Sequence, residues 1–507
     1  MAIETELKLR ITPEQLAKLR RHALFKAYQI TPPVTRRLHN IYYDTPEFDL
    51  HKNQMALRLR RVGGRWLQTL KGGGQVKAGL HQRFEWEVPV PSAKLDFSGL
   101  DEVVWDEHLP LGIRENLKPV FITDFYRSSR LLDWQGAIIE VCLDHGEVKT
   151  VQHSTPISEV ELELKSGEPQ QLFELAQAIL EIVPFELEVV SKAEQGFRLL
   201  AGYIAQPVKG IVPKLAKSDS LTDGLQTLIW SCLLHFQGNL RGAMAGTDAE
   251  YLHQMRVALR RLRVVLRISE KIRADETLAT LREDLASLGV TLGRIREWDV
   301  FIAQTIQPMR FRIEGNVGQR SLQALLVDCE RQRADCYAAL RGAGQARELQ
   351  RLMLRFAIWM NGSYWRQAEQ GVPETHVFAA KRLHQLAKRY EQAGLHLHTL
   401  DEEHLHALRI HAKKLRYGAE FFAALYETHK ARSYLSALSE VQELLGGIND
   451  IAVAHRLLDE QAANLSANQE VIVFIKTWID KDLSITFKML HKSVQYFNKQ
   501  QAFWEKD

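Results

Sequence analysis

The spacing of apolar residues changes once along this 507-residue chain, near residue 205, and that change limits the folds open to it. Before it, apolar residues recur at every second position, the period of a strand with two unlike faces. IETELKLRI at 3–11 puts Ile3, Thr5, Leu7, Leu9 and Ile11 on one face and Glu4, Glu6, Lys8 and Arg10 on the other. LHNIYYDTPEFDL, MALRLRRV, RWLQTLKG, QRFEWEVPV, GAIIEVCLDHG and ISEVELELK alternate in the same way, bounded by Gly, Pro or Asp. Helical patterns interrupt them at PEQLAKLRRHA, with Thr12 as N-cap, Pro13 at N1 and Gln15 at N3, and at EPQQLFELAQAILEIV. Beyond QPVKGIVPK at 206–214, which reads as a linker, apolar residues recur at spacings of three and four almost to the end. The pattern predicts an α+β domain followed by an all-helical one.

The polar faces of the strands hold both signs of charge. Arg58 and Arg60 alternate in ALRLR, and Arg83, Glu85 and Glu87 in RFEWE. Glu140 and Asp144 share a parity in IEVCLD; Glu159, Glu161, Glu163 and Lys165 alternate in SEVELELK; Lys71 ends QTLK. On a single strand such a face ordinarily meets water. Repeated on five or six strands, it suits a barrel whose charged faces turn inward while the apolar faces pack under helices. Bases there would hold phosphate oxygens, and paired carboxylates would hold hard divalent ions. Arg10, Arg61 and Glu159, read as strand ends, are expected to be solvated, and Asp44 and Thr45 to cap a turn.

The helical half contains a repeat. LHQMRVALRRLR at 252–263 matches LHALRIHAKKLR at 405–416, and LGRIREWDV at 292–300 matches LGGINDIAV at 445–453, both at an offset of 153. A duplicated helical bundle follows. His253, Arg256, Arg260, Arg263 and Arg267 step by three and four along one helix face, beside Leu252, Met255, Leu259, Leu262 and Leu266. The second copy has His406, Arg409, Lys413 and Arg416 beside Leu405, Leu408, Ala412 and Leu415. A solvated face mixes acids with bases; these stripes contain no acid and read as paired anion-binding surfaces. Gly447 and Asn449 stand where the first copy has Arg294 and Arg296, so the halves are expected to bind unequally.

Composition agrees. Residues 1–200 hold 25 Lys and Arg against 28 Asp and Glu, and the remainder 41 against 34, which suggests an anionic partner for the second half. Few aromatics interleave with the basic stripes, so no stacking platform for nucleic acid is evident. The four cysteines form no CxxC pair and read as free thiols of a cytoplasmic protein. MAIETELKLR has no signal-peptide pattern, and LQTLIWSCLLHF at 225–236 is too short to span a bilayer, so no membrane partner is expected.

Glu4-Thr5-Glu6-Leu7-Lys8 is an ExExK sequence, followed in order by NIYYDTPEFDL, ALRLRR, TLKG, RFEWE, FYRSSR, IEVCLDHG, ELELK and SKAEQGF. Together these segments resemble the CYTH superfamily, the triphosphate tunnel metalloenzymes, over roughly residues 1–200. The resemblance implies an antiparallel β-barrel with a charged tunnel that acts on triphosphates with Mg²⁺ or Mn²⁺. It implies metal-binding roles for Glu4, Glu6, Glu161, Glu163 and Asp144. Substrate would be held by Lys8, Arg58, Arg60, Lys71, Arg83, Arg127, Lys165 and Lys192. The catalytic set implied is Glu4, Glu6, Lys8, Glu85, Glu161 and Glu163, with Glu87 and Glu140 completing the lining. Arg127 is preferred to Arg130 in FYRSSR from its place after TDF.

The H-x-x-R-x-x-x-[RK]-[RK]-x-R pattern of both helical copies resembles the CHAD domain over about 218–507. That implies binding of inorganic polyphosphate by His253, Arg256, Arg260, Arg263, His406, Arg409, Lys413 and Arg416. The expected boundaries are a barrel domain at 1–202, a linker at 203–217 and a helical domain at 218–507. The functional expectation is metal-dependent hydrolysis of inorganic triphosphate to diphosphate and phosphate. The alternatives are a thiamine- or nucleoside-triphosphatase or cyclase, or a non-enzymatic polyphosphate-binding adaptor, which would gain nothing from four inward glutamates.

Overall fold

The computed structural model describes residues 2–98, 111–246, 248–273, 275–368, 372–395, 397, 402–464 and 469–505. The chain packs as two units: Met1–Ala205 with Ala346–Gly362, and Gln206–Gln345 with Ser363–Asp507. Residues 346–362 come from the helical half of the sequence yet group with the first unit. There Arg351 donates to both carboxylate oxygens of Glu181, at 2.8 and 3.1 Å, and Gln350 Oε1 accepts the Leu187 backbone N–H at 3.1 Å.

The first unit is built on β1 (Ala2–Arg10), β2 (Val34–Asp44), β3 (Ala56–Val62), β4 (Arg65–Lys77), β5 (Leu80–Val90), β6 (Lys118–Trp134), β7 (Ala137–Lys149) and β8 (Ser154–Ser166). Their order is β5-β4-β3-β2-β6-β7-β8-β1, and β1 also pairs with β5, so the eight strands close into an antiparallel barrel. A two-residue strand, β9 (Glu186–Leu187), adds to β1. On one side of β1, Glu6 lies opposite Glu163 and Lys8 opposite Glu161; on the other, Glu4 lies opposite Arg83.

Closure sorts the alternating side chains into two environments. Leu7, Leu9, Leu57, Leu59, Val141, Val160 and Leu162 take the outward parity and are fully buried. The helix Pro169–Ile182 packs on β1 and β8 and buries Leu172, Phe173, Leu175, Ala176, Ile179 and Leu180. Its start is fixed by Pro169 and by a reciprocal cap between Glu168 and Gln171. The helix Pro13–Arg20 starts at Thr12, whose Oγ1 accepts from the Gln15 N–H, as its sequence predicts. The helix Lys192–Leu200 packs on β6, with Phe197 edge-on to Phe121. Gly196 sits over the same ring, where a Cβ would come within 2.1 Å of it, so only glycine allows this approach. That contact sets Lys192, at the helix start, over the inner face of the barrel.

The second unit is helical, and the repeat is visible in its bounds. Ala249–Ser269 and Glu402–Phe422 are both 21 residues long, offset by 153 at each end, and they pack on one another. The apolar stripes read from sequence are buried in both copies. The two LG segments fall within Glu276–Val300 and Thr428–Asn464. Among the described residues, no helix is long and apolar enough to cross a membrane.

Asp44 caps the turn after β2, as expected. Its carboxylate accepts the N–H groups of Thr45, Leu50 and His51 at 2.8, 2.9 and 3.0 Å, and it has no exposed surface. Asp44→Ala would leave three backbone donors without this acceptor. A loss of about 2–4 kcal/mol is expected, since each buried unpaired group costs about 1–3 kcal/mol and some relaxation follows. Thermal unfolding measures it; an unchanged Tm would mean the turn holds without the cap.

Candidate active site and anion-binding cleft

The barrel encloses a cavity of about 370 Å³. Glu4, Glu6 and Lys8 of β1, Arg58 and Arg60 of β3, Lys71 of β4 and Arg83, Glu85 and Glu87 of β5 line it. So do Arg127 of β6, Glu140 of β7, Glu161, Glu163 and Lys165 of β8, and Lys192. The charged parity therefore faces the lumen. The arrangement is polar across it as well. In the eight-strand circuit β3 lies four strands from β8, and β2 four from β1. Arg58 and Arg60, joined by Arg36 of β2, thus face Glu161 and Glu163, and Glu4 and Glu6, from the opposite wall.

At the base of the acidic wall, Asp144, Glu159 and Glu161 each place a carboxylate oxygen within 4.8 Å of the others. Cations hold them there. Lys192 Nζ is 2.6 Å from Asp144 and 2.9 Å from Glu161, and it also bonds Glu159. Arg127 forks onto Asp144, with Nε at 2.8 Å and Nη2 at 2.6 Å, and reaches Glu161. Lys8 bonds Glu161 and lies 2.8 Å from Glu6. Burial alone would push the Glu161 carboxyl up, but Lys192, Lys8 and Arg127 hold it well below the usual carboxylate range. Glu159 behaves differently: burial pushes it up to about 7 in spite of Lys192.

Glu159 overturns one expectation. It was expected at a solvated strand end, but β8 runs from Ser154 to Ser166, so Glu159 is mid-strand and only 2% exposed. Arg10 and Arg61 are exposed, as expected. Arg127 points into the lumen, whereas Arg130, of opposite parity, points out of it. Asp144 has no exposed surface and stands behind Arg127 and Lys192, so its carboxylate orients those cations. Arg36 also lines the lumen and was not singled out from sequence.

The basic wall is crowded. Burial, with Arg58 and Arg127 nearby, pushes the Arg60 guanidinium down to about 10. Its Nε donates to Asn40 Oδ1 at 2.9 Å, which fixes its direction. Lys71 bonds Glu4 and lies 3.1 Å from Glu85, and Lys165 lies 3.1 Å from Glu140. The acidic donors Glu4, Glu6, Glu161 and Glu163 offer only carboxylate oxygen to the lumen, a set that fits a hard divalent cation.

In the helical unit the two basic stripes meet. Arg256, Arg260, Arg263 and Arg267 of the first copy, and Arg409 and Lys413 of the second, line one cleft of about 420 Å³. Lys414, the second [RK] of the pattern, joins them, with Arg382 and Arg389 from the helix Thr375–Gly394, which the pattern does not include. No Asp or Glu is among the lining residues. Burial, with Arg409 and Arg260 beside it, pushes the Lys413 ammonium down to about 6. Burial and Arg260 push Arg256 down to about 10. Gly293 of the first LG segment makes room for Arg256; a Cβ there would lie 3.0 Å from its Nη1. Arg416 does not line the cleft, and its Nε donates to Glu420 at 2.9 Å. His406 lines a separate hollow with Arg409, Asn449 and His455. His253 is half-buried, with Arg296, Arg260 and Arg256 near its ring.

An eight-stranded antiparallel barrel whose lumen opposes arginines to glutamates is a charged tunnel. Residues 2–197 match the CYTH domain and residues 227–459 the CHAD domain, so the chain pairs a CYTH domain with a CHAD domain. The first 200 or so residues resemble an inorganic triphosphatase of Haemophilus influenzae, 35% identical over 204 residues, which is 39% of this chain. The match spans 55% of that relative's length. An uncharacterized protein of Mycobacterium tuberculosis is 26% identical over 457 residues, 84% of this chain and 83% of that one. The crystal structure of the CHAD domain from the plant Ricinus communis is 29% identical, with a TM-score of 0.50. It covers 59% of this chain and 98% of that domain.

Lys192 is the cation shared by all three buried carboxylates, so Lys192→Met tests the electrostatic account. A loss of about 3–5 kcal/mol is expected, because removing one partner strands buried charge. Acid should restore part of it as the carboxylates take up protons. Urea unfolding at pH 7 and pH 5 measures both, and equal stability of variant and parent at pH 7 contradicts the account.

Proposed function

We propose that the barrel is a metal-dependent triphosphatase that hydrolyses inorganic triphosphate to diphosphate and phosphate. The observation behind this reading is the opposition of Arg36, Arg58 and Arg60 to the glutamates of β1 and β8 across one narrow lumen. A pure anion binder has no use for a wall of carboxylates, whereas a triphosphate that arrives with a divalent ion needs both signs. The lining is mostly charged, with Tyr42 and Phe125 as its aromatic members, which favours an inorganic substrate over a nucleotide or thiamine derivative. The similarity to the Haemophilus protein of that description supports the same choice.

Mg²⁺ or Mn²⁺ held by Glu4, Glu6, Glu161 and Glu163 would supply Lewis-acid charge to the phosphate oxygens. The chain's own residues do the rest. Arg58, Arg60 and Arg83 neutralise the phosphate chain, and Lys8, Lys71, Arg127, Lys165 and Lys192 exchange carboxylate for phosphate oxygen. Glu85 completes the set around the reacting phosphoryl group. A lumen carboxylate orients a water molecule whose oxygen bonds to the terminal phosphorus as the bridging P–O bond breaks. Diphosphate leaves, and the water's proton passes to solvent. Little covalent chemistry is asked of the protein; position and charge suffice.

We also infer that the helical unit binds inorganic polyphosphate in its cationic cleft. An unbranched polyanion matches a cleft lined by cations from three helices and by no acid. The four free cysteines, three of them buried, fit a reducing compartment, and we place the protein in the cytoplasm.

The deciding experiment is phosphate release from tripolyphosphate with Mg²⁺ or Mn²⁺ and after chelation, beside ATP and thiamine triphosphate. The highest kcat/KM on tripolyphosphate, lost on chelation, is the expected result; preference for an organic triphosphate would give the tunnel to the rival substrates. Glu6→Gln should lower kcat by roughly 100-fold or more, the scale of removing one electrostatic element of a site. Its Tm should be little changed, and normal turnover would remove Glu6 from the metal site.

Polyphosphate binding should depend on pH through Lys413. Above pH 6 the free cleft holds Lys413 largely neutral; an anion favours the charged form, so binding takes up a proton. Affinity should therefore rise as pH falls from 9 to 6. Calorimetry in buffers of different ionisation enthalpy should show the uptake in the parent and not in Lys413→Met. Arg256→Ala with Arg409→Ala should weaken binding while sparing tripolyphosphate turnover; unchanged affinity in that double variant rules out the cleft.

A further inference from the structure

Strand β6 has a second chemistry on its outer face. Arg127 and Ser129 point into the lumen, while Tyr126, Ser128 and Arg130 point the other way. They open on a cavity of about 980 Å³ also lined by the helices Pro13–Arg20 and Ala23–Tyr28. Arg130 lies in its wall and is only 5% exposed. Its Cζ is 5.0 Å from the Phe25 ring centroid, and its Nε has no hydrogen-bond partner among the described residues. Ser128, 4% exposed, likewise has a buried Oγ without a partner. Arg20, Arg21, Lys26 and His145 complete the polar lining on the basic side, and no Asp or Glu is part of it.

This is an unusual way to use an arginine. An outward side chain under a helix is ordinarily apolar, and a guanidinium buried without a counter-ion is costly. Burial and Arg20 both push the Arg130 pKa down, the mark of cations gathered without an acid. Among the described residues, Arg20 donates only to Thr35 Oγ1, at 3.4 Å. These donors line one cavity, and no carboxylate is among its lining residues. Beside them the wall turns apolar, with Leu16 and Leu143, and Tyr126 keeps 55% of its surface exposed.

We propose that this outer cleft binds a small organic phosphate. Arg130, Ser128 and Arg20 take the phosphate oxygens, and Leu16, Leu143 and the Tyr126 ring take the organic part. A guanidinium fork with further cations beside it suits a doubly charged tetrahedral anion, and the apolar wall is the reason for an organic ligand over a bare ion. The cleft differs from the lumen in kind. No carboxylate lines it, so it has no means of its own to hold a divalent ion, and it serves binding, not hydrolysis.

The test is calorimetric titration of the full chain with AMP, ADP and inorganic phosphate at low salt, with chelator present to suppress metal-dependent binding in the lumen. Arg130→Met, and separately Arg20→Ala with Arg21→Ala, are compared with the parent. AMP or ADP should bind more tightly than phosphate, and each variant should weaken that binding by roughly tenfold or more, the scale of a charge-assisted hydrogen bond. Tripolyphosphate turnover should be unchanged in both. The rim pair Arg20 and Arg21 keeps the question answerable should Arg130→Met fold poorly. Absence of saturable nucleotide binding, or equal affinities in parent and both variants, overturns the proposal and leaves Arg130 as a packing partner of Phe25. Inorganic phosphate binding as tightly as AMP overturns the organic ligand.

Discussion

Carboxylates can share a dry pocket only if cations stand against them, and the barrel is arranged around that condition. Asp144, Glu159 and Glu161 lie out of water within reach of one another. Lys8 comes from β1, Arg127 from β6, and Lys192 from a helix placed by the fit of Gly196 on Phe121. These residues are far apart in sequence and meet because β6, β7, β8 and β1 are successive neighbours in the barrel. Closure supplies a second requirement too. A sheet that surrounds charged side chains cannot leave backbone groups unpaired at an edge, and a closed barrel has no edge.

The same ion pairs make the lumen a site. Each cation of the acidic wall is bonded to a carboxylate, and on the proposed function a phosphate oxygen would replace that carboxylate. A triphosphate with its divalent ion is itself an ion pair, so its entry exchanges one set of opposite charges for another. The basic wall favours the exchange. Burial, with Arg58 and Arg127 beside it, pulls the Arg60 pKa down, and an anion between these cations would offset both effects. On the proposed function, substrate binding is thereby coupled to the relief of a charge burial that folding imposes.

Much of this was legible in the sequence, and the gaps have physical causes. Period-two alternation with charge on one face gave the strands, and their number suggested that the charge turns inward. Glu159 was misread because its environment is set by Lys192, 33 residues on, on a helix whose seat the local pattern does not encode. Arg36 escaped notice because VTRR at the start of β2 shows no clear alternation. In the helical unit the three-and-four stepping selected Arg416. Arg416 lies two turns beyond Arg409, at nearly the same angle on a 3.6-residue helix, but its guanidinium turns to Glu420 and not to the cleft. Arg382 and Arg389 lie on a helix outside the duplicated segments, where repeat matching had nothing to compare.

The lumen and the helical cleft show how one ligand chemistry separates into two tasks. Both gather arginine and lysine where phosphate oxygens would lie. In the lumen, glutamates interleave with them, hold the cations in fixed directions and leave oxygen donors for a metal. No acid is among the residues that line the cleft, and burial, with repulsion from Arg409 and Arg260 beside it, pushes Lys413 down to about 6 against the pull of Asp450. Buried leucines along both repeat helices oppose that repulsion and keep the cleft formed. On the proposed function, a polyanion would meet a cationic surface whose lining holds no carboxylate to orient water or a metal against it. On the same reading, turnover belongs to the site with both signs and retention to the site with one.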